Sequence, residues 1–277
     1  MDIDIQTVET SSFFKGFSSD HYHILLVDNP LCYQVDDVSY MSNGPSLIFL
    51  APYQHFSILD DYCFPVVQLA FNGDYYCIEL HKHDVACNGL LFNSVYQLPH
   101  VEVESTLYGE LLMICQKMEK QIDQSTKFTN AIIKSYLQLL LSISSDEKQK
   151  FIEDSSYYTQ LKNEEGIVFQ DLVERFYKTE KSIPFYAAHM HMSPPAFSRK
   201  IKSALHKSPS KIIQERTILE AKKLLHLTYK SIKEIAYELC FDDQHHFSRY
   251  FKNNVGISPV HYRKQVGISI VANLSKE

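Results

Sequence analysis

The residues with the most chemical content lie in a repeat. Residues 197–209 read Phe-Ser-Arg-Lys-Ile-Lys-Ser-Ala-Leu-His-Lys-Ser-Pro, and residues 247–259 read Phe-Ser-Arg-Tyr-Phe-Lys-Asn-Asn-Val-Gly-Ile-Ser-Pro. Phe, Ser, Arg, Lys, Ser and Pro thus recur at an offset of 50. On a helix, Phe197 and Ile201 share one side, as do Phe247 and Phe251. That leaves Ser198, Arg199 and Lys202 outside in the first copy, and His246, Ser248, Arg249 and Lys252 outside in the second. A guanidinium is a rigid fork of donors that fits a pair of planar acceptors, and an ammonium is a point charge. The carboxamide of Gln244 adds a paired donor and acceptor. This is the chemistry of recognising a polar, anionic surface.

Other groups with chemical potential are fewer. The N-terminal half carries His21, His23, His55, His81, His83 and His100. The His21-x-His23 and His81-x-His83 spacings put two rings on one face of a strand, as in cupin metal sites that add a carboxylate. Lys82 and Asp84 flank the second pair and no Glu follows at a matching spacing, so no metal and no cofactor is expected. The six cysteines, Cys32, Cys63, Cys77, Cys87, Cys115 and Cys240, form no C-x-x-C pair and read as small apolar residues. Eight glycines make no phosphate loop, and no Ser or Cys stands in a nucleophile motif, so catalysis is not expected.

The elements around these groups divide the chain. A length of 277 residues suggests two domains. Residues 24–27, 46–50, 66–71 and 75–80 are short β-branched or aromatic runs, punctuated by Asn29-Pro30, Asn43-Gly44-Pro45 and Asn72-Gly73-Asp74. They predict a β-barrel or jelly roll, its core including Tyr22, Tyr33, Phe49, Tyr53, Phe56, Phe71, Tyr76 and Phe92. Two amphipathic helices follow. One spans 105–122 with Leu107, Leu111, Ile114, Cys115 and Met118 on its stripe. The other spans 127–143 with Phe128, Ile132, Tyr136, Leu139, Leu140 and Ile143. Either they only cover the barrel or they also form a dimer interface. The polar stretch 144–150 reads as a linker. Beyond residue 157 the pattern is helical, with Val168, Leu172, Val173 and Phe176 on one stripe and a long helix opening at Pro209 and running to about Leu227.

Charge follows the same division. The net charge is −6. Residues 157–264 nevertheless hold 18 Lys and Arg against 11 Asp and Glu, a net of +7. The remainder holds 9 against 22, a net of −13. One part is suited to a polyanion and the other is not. No run of about 18 apolar residues suggests a membrane span. The acidic start Met1-Asp2-Ile3-Asp4 lacks signal-peptide features, so a cytoplasmic location is expected.

Each repeat copy follows a short apolar helix, 183–190 or 232–239, and a turn ending at a capping type of residue, Ser193 or Asp243. Helix, tight turn and capped helix is the helix-turn-helix pattern. Arg199, Arg249 and Gln244 suit base edges of duplex DNA. Lys200, Lys202 and Lys252 suit phosphates. Two such units on one rigid helix are expected to enter successive major grooves.

These residues resemble the AraC/XylS family of bacterial transcription activators over roughly residues 165–264. The resemblance is carried by Ser231-Ile232-x-x-Ile235-Ala236, Phe241-Asp242-Asp243-Gln244, Phe247-Ser248-Arg249-x-Phe251-Lys252 and Gly256-x-Ser258-Pro259-x-x-Tyr262-Arg263. The linking helix adds Arg216, Ala221, Leu224 and Leu225. The resemblance implies base-facing residues at Pro195, Ser198 and Arg199 in the first unit, and at Gln244, His245, His246 and Arg249 in the second. The chain departs from the family's usual glycine at His206 and Cys240, which puts local turn geometry in question. The expected fold class is α+β. A cupin-like barrel with two flanking helices fills residues 1–150 as a sensor or dimerisation domain, and an all-α double helix-turn-helix domain fills 157–265. The partners implied are double-stranded promoter DNA, RNA polymerase, a small-molecule effector in the barrel and a second copy of the chain.

Overall fold

A computed structural model describes residues 3–36, 38–73, 75–76, 90–92, 95–96, 98–124, 126–154, 164–205 and 207–268. Contacts divide the chain into two compact units, Met1–Phe151 and Ile152–Glu277.

Unit one is built on strands β1 (Ile3–Glu9), β2 (Tyr22–Val27), β3 (Leu31–Val35), β4 (Val38–Ser42), β5 (Ser46–Leu50), β6 (Phe56–Ile58), β7 (Pro65–Phe71) and β8 (His100–Glu102). Among the described residues they form two antiparallel sheets, β1-β7-β2-β5-β8 and β4-β3-β6, and no closed barrel. The expected α+β class holds, a strand-built part with two helices followed by a helical part, and only the closure expected of a barrel is absent among the described residues. The expected runs at 24–27, 46–50 and 66–71 are the neighbouring strands β2, β5 and β7. The expected strand at 75–80 is not present at Tyr75 and Tyr76, which lie in a turn and a bend. Its remaining residues, with His81 and His83, lie outside the described residues.

Strand periodicity separates two cores. Ile24, Leu26, Leu47, Phe49, Leu69, Phe71 and Val101 face helix α1 (Ser105–Gln124) and helix α2 (Thr129–Asp154). Leu25, Val27, Ile48, Leu50 and Val66 face Tyr33, Val35, Phe56 and Ile58 across the two sheets. The inter-sheet side also holds polar groups. Register aligns Gln6, Gln68, Leu25, Ile48 and His100 in one rung.

Helix α1 buries the stripe expected of it, with Leu111, Ile114, Cys115 and Met118 inside. Helix α2 does not. It is apolar on more than one side, and its inward residues are Ile133, Leu137, Leu140 and Leu141, whereas Phe128, Ile132 and Leu139 are exposed. The expected linker at 144–150 is the continuation of α2. Its polar residues are accommodated there because each finds a place a helix can offer. Ser144 Oγ donates to the Leu140 carbonyl at 2.8 Å. Lys148, 1% exposed, lays its stem through the core and donates to the carbonyls of Leu98 and His100.

The second unit contains α3 (Glu164–Phe176), α4 (Ile183–His189), α5 (Pro194–Leu205), α6 (Pro209–Leu227), α7 (Ile232–Glu238), α8 (Gln244–Val255) and α9 (Pro259–Val266). In α3 the inward residues are Phe169 and Val173. Val168, expected on that stripe, is exposed. No described helix is long and apolar enough to cross a membrane.

Burial pulls the Lys148 ammonium from 10.5 to about 7. The unfolded chain therefore binds a proton that the folded chain has lost between about pH 7 and pH 10, and stability rises with pH across that window. One proton corresponds to about 1.4 kcal/mol per pH unit. Urea unfolding of the full chain at pH 7 and pH 9 is expected to show a gain of about 2 kcal/mol from this group, absent in Lys148→Met. Equal pH slopes in the two proteins would refute the buried position of Lys148.

Candidate nucleic-acid interface

The two helix-turn-helix units are α4–α5 and α7–α8. Pro184 sits at the start of α4, where its missing N–H costs nothing. Ser231 begins α7 with a full capping box, its hydroxyl accepting from Glu234 N–H while Glu234 accepts from Ser231 N–H. Both helices stop in the same way. Met192 N–H bonds the Ala187 carbonyl at 2.9 Å and His191 N–H bonds that of Ala188 at 3.0 Å. Phe241 N–H bonds Ala236 at 2.9 Å and Cys240 N–H bonds Tyr237 at 3.0 Å. His191 and Cys240, each at φ 53, occupy the left-handed position of a Schellman stop. The second turn is one residue longer, and that residue brings Asp243 to the start of α8.

Asp243 is an N-cap in fact. Its carboxylate accepts from His245 N–H at 2.6 Å and His246 N–H at 2.8 Å, and these donors hold the carboxyl below its ordinary range. At the corresponding place the Ser193 carbonyl accepts from Phe197 N–H at 2.9 Å, and α5 begins with Pro194-Pro195. Gly256, at φ 84, closes α8. His206, at the matching end of α5, lies outside the described residues.

Burial sets the direction of each second helix. Phe197, Ile201, Ala204 and Leu205 are buried in α5, and Phe247, Phe251 and Val255 in α8. Arg249 follows Phe247 by two residues, about 200° around the helix, and so points nearly opposite the core. Arg199 has the same phase. Pro195, Arg199 and Lys202 form an exposed stripe on α5, as do His245, Arg249 and Lys252 on α8. Gln244 is exposed at the first position of α8.

Three predicted site residues stand apart from these stripes. Lys200 is exposed but lies on the flank beside α3, where it is ion-paired with Glu165. Ser198 is half-buried. His246 rests edge-on against Phe241, with ring centroids 5.3 Å apart, and its Nδ1 lies 3.4 Å from Asp242. Two arginines of the basic segment are structural. Arg216 stacks over Tyr177 at 3.9 Å and bonds Glu174 at 2.8 and 3.0 Å. Arg263 donates to the Leu225 carbonyl at 3.0 Å, tying α9 to α6.

Of the histidines weighed for metal binding, the rings of His21, His23 and His100 have other partners, and His81 and His83 lie outside the described residues. His23 Nδ1 lies 2.9 Å from Gln68 Nε2, and burial lowers its pKa to about 4. His21 pairs with Asp20 at 2.7 Å. His100 meets the Tyr33 hydroxyl, and burial pulls it down to about 3. The backbone N–H of His55 bonds the Asp36 side chain. Among the described residues, no three His, Cys, Asp or Glu side chains gather in a metal-binding group.

Residues 186–265 match a family model described as a helix-turn-helix domain. YfiF of Bacillus subtilis, a helix-turn-helix transcriptional regulator, is 25% identical over 272 residues, which are 90% of this chain and 82% of YfiF. The transcriptional activator RhaS of Mannheimia succiniciproducens is 27% identical over 214 residues, 73% of this chain and 70% of RhaS. Among solved structures, ToxT from Vibrio cholerae is 15% identical, with 96% of this chain and 98% of ToxT aligned at a TM-score of 0.40. The DNA-binding domain of AdpA, solved with a target DNA, is 24% identical over 36% of this chain and 89% of that domain, at a TM-score of 0.33. The C-terminal unit is a helix-turn-helix domain of the AraC/XylS type. The protein is a DNA-binding transcription regulator of that class.

Cys240→Gly removes the side chain from a left-handed backbone position, whose cost for an L-residue is about 1 kcal/mol. The substitution is expected to raise the melting temperature of the full chain. Asp243→Ala is expected to lower the melting temperature through loss of the cap. Thermal unfolding of both variants beside the parent checks the pair, and a destabilised Cys240→Gly would contradict the turn geometry.

Proposed function

We propose that this regulator reads two successive major grooves of promoter duplex, one with each helix-turn-helix unit. The supporting observation is the pair of outward stripes, Pro195-Arg199-Lys202 and His245-Arg249-Lys252, carried at one helical phase on the second helix of each unit. Arg199, Arg249 and Gln244 bond base edges bidentately, arginine to guanine and glutamine to adenine. Pro195, Ser198, His245 and His246 complete the base-facing sets. Lys200, Lys202 and Lys252 meet phosphates, Lys200 after exchanging Glu165 for the backbone. The second helix opens with polar side chains and the first with two prolines. Sequence reading is therefore concentrated in α8, and α5 contributes more to register.

Residues 157–265 are the DNA-binding domain in this reading, and residues 1–150 form a sensor or dimerisation domain. A small effector in the sandwich or association with a second copy of the chain controls presentation of the DNA-binding domain. The bound protein acts as an activator by contact with RNA polymerase. RhaS is named as an activator, which fits this direction of control.

The test is selection of bound duplexes from a random pool with the full chain. Two enriched blocks about ten base pairs apart, centre to centre, are expected. Arg249→Ala is expected to lose about 1–3 kcal/mol at the selected site and to relax preference in one block. Lys252→Ala is expected to weaken binding to all duplexes and to reduce the salt slope by about one. An Arg249→Ala protein with unchanged preference would refute the placement of α8.

A further inference from the structure

The α3–α4 connection belongs to the first helix-turn-helix unit by sequence, yet its side chains reach the second. Lys178 lies 3.4 Å from Glu220 on α6 and 3.6 Å from Glu238 on α7. Lys181 goes further. Its ammonium donates to the Leu239 carbonyl at 2.7 Å and to the Lys178 carbonyl at 2.9 Å. The same nitrogen stands 4.6 Å from the centroid of the Phe241 ring.

Both of its targets in the second unit are sensitive points. The Leu239 carbonyl is at the C-terminal end of α7, where carbonyls lack helical partners and a cation is favoured. Phe241 is 4% exposed and supports the recognition helix directly, with ring centroids 5.3 Å from Phe247 and 5.1 Å from Tyr250. A second link runs parallel. Thr217 of α6, fully buried, is hydrogen-bonded to the Tyr250 side chain and lies 3.5 Å from the Tyr177 carbonyl at the end of α3. The connection is joined firmly to its own unit as well, since Tyr186 of α4 donates to the Glu180 carbonyl at 2.9 Å. Phe185 and Tyr186 pack at 5.3 Å, and Tyr186 lies 5.6 Å from Phe169, which lies 5.3 Å from Phe197 of α5. A continuous path of contacts therefore joins α5 to α8 without passing along α6.

We propose that Lys181 is a positioning residue that fixes the distance and phase between the two recognition helices, and so sets which spacing of two DNA blocks the protein accepts. The inference rests on the two-groove reading above. Two modules that bind one duplex gain from linkage only when the linkage holds the span the duplex requires. A half-buried ammonium with two carbonyl acceptors and an aromatic face adds a second tie to the one helix that links the units, and so holds that span more narrowly than the helix alone. Partial burial draws the Lys181 ammonium below its ordinary range, in keeping with its carbonyl and ring contacts. Arginine keeps the cation, the donors and the ring contact. Methionine keeps only the stem.

The experiment uses the full chain and duplexes carrying the selected blocks at the selected spacing and at spacings one and two base pairs longer and shorter. The parent is expected to lose about tenfold or more in affinity away from its spacing. Lys181→Met is expected to flatten that loss to about threefold or less, with affinity for a duplex containing a single block unchanged, and Lys181→Arg is expected to restore the preference. Alongside, spin labels on non-natural amino acids at the exposed positions 203 and 253 report the α5–α8 distance in DNA-free protein. A single narrow distribution is expected in the parent and in Lys181→Arg, and a broadened one in Lys181→Met. Two selected blocks with the same spacing preference in parent and Lys181→Met would overturn the role of Lys181 and leave the two-groove reading intact. One selected block would overturn both. An unchanged distance distribution in Lys181→Met would overturn the role of Lys181 whatever the DNA result.

Discussion

Burying one aromatic ring in each second helix governs what the C-terminal unit shows to its surroundings. Phe197 and Phe247 are both 0% exposed. Once those rings are fixed inside, helical geometry allows the residue two places on only one direction, and in each unit that residue is arginine. The outward presentation of Arg199 and Arg249 is therefore a consequence of apolar burial. A polar residue at either Phe position would remove the constraint on the helix and the aim of the arginine together. The Schellman stops and the Asp243 cap refine this arrangement, because they determine where each second helix begins relative to the first.

This logic explains why the second unit was readable from the amino-acid sequence. A repeat supplies two independent views of one pattern, so a shared phase of Phe, Arg and Lys is hard to produce by accident. The linking helix from Pro209 to Leu227 was legible from the proline that opens it, and the structure adds Ser208 as its cap, the hydroxyl accepting from Lys211 N–H. Ser193 shows the limit of the approach. Its residue type suits a cap as well as Asp243 does, yet its recorded part in opening α5 is through its carbonyl, not through a side-chain bond of the kind Asp243 makes. Lys200 shows another limit. It reads as a free phosphate-binding cation, but its flank of α5 faces Glu165, and a partner 35 residues away in the chain leaves no local trace.

The N-terminal unit was less legible for a different reason. Its three central strands are dense apolar runs and announce themselves. β3 and β4 have five residues each without a clean polar–apolar alternation, and β6 and β8 have three residues each, too few for a periodic signal. The second half of α2 misled in the opposite way. Ser144, Ser145 and Lys148 have the composition of a linker, and the structure buries all three. A serine bonded to the turn behind it and a lysine whose ammonium reaches the Leu98 and His100 carbonyls are compatible with an interior, although composition places them in solvent.

Charge carries the same lesson one level higher. The net of −6 averages an acidic part with a basic one, and the basic excess is itself divided by structure. Arg216 and Arg263 are spent on holding α3 and α9 to α6, and Lys178 and Lys181 on joining the two helix-turn-helix units. What remains for an anionic partner is a smaller, placed set on α5 and α8. Residues that would be counted alike in a composition thus have two separate tasks. In the proposed reading, one group meets the duplex, and the other makes the spacing of the first group definite. A regulator that binds as a single rigid pair of readers needs both, because affinity from two correctly shaped helices is lost when the distance between them is free to vary.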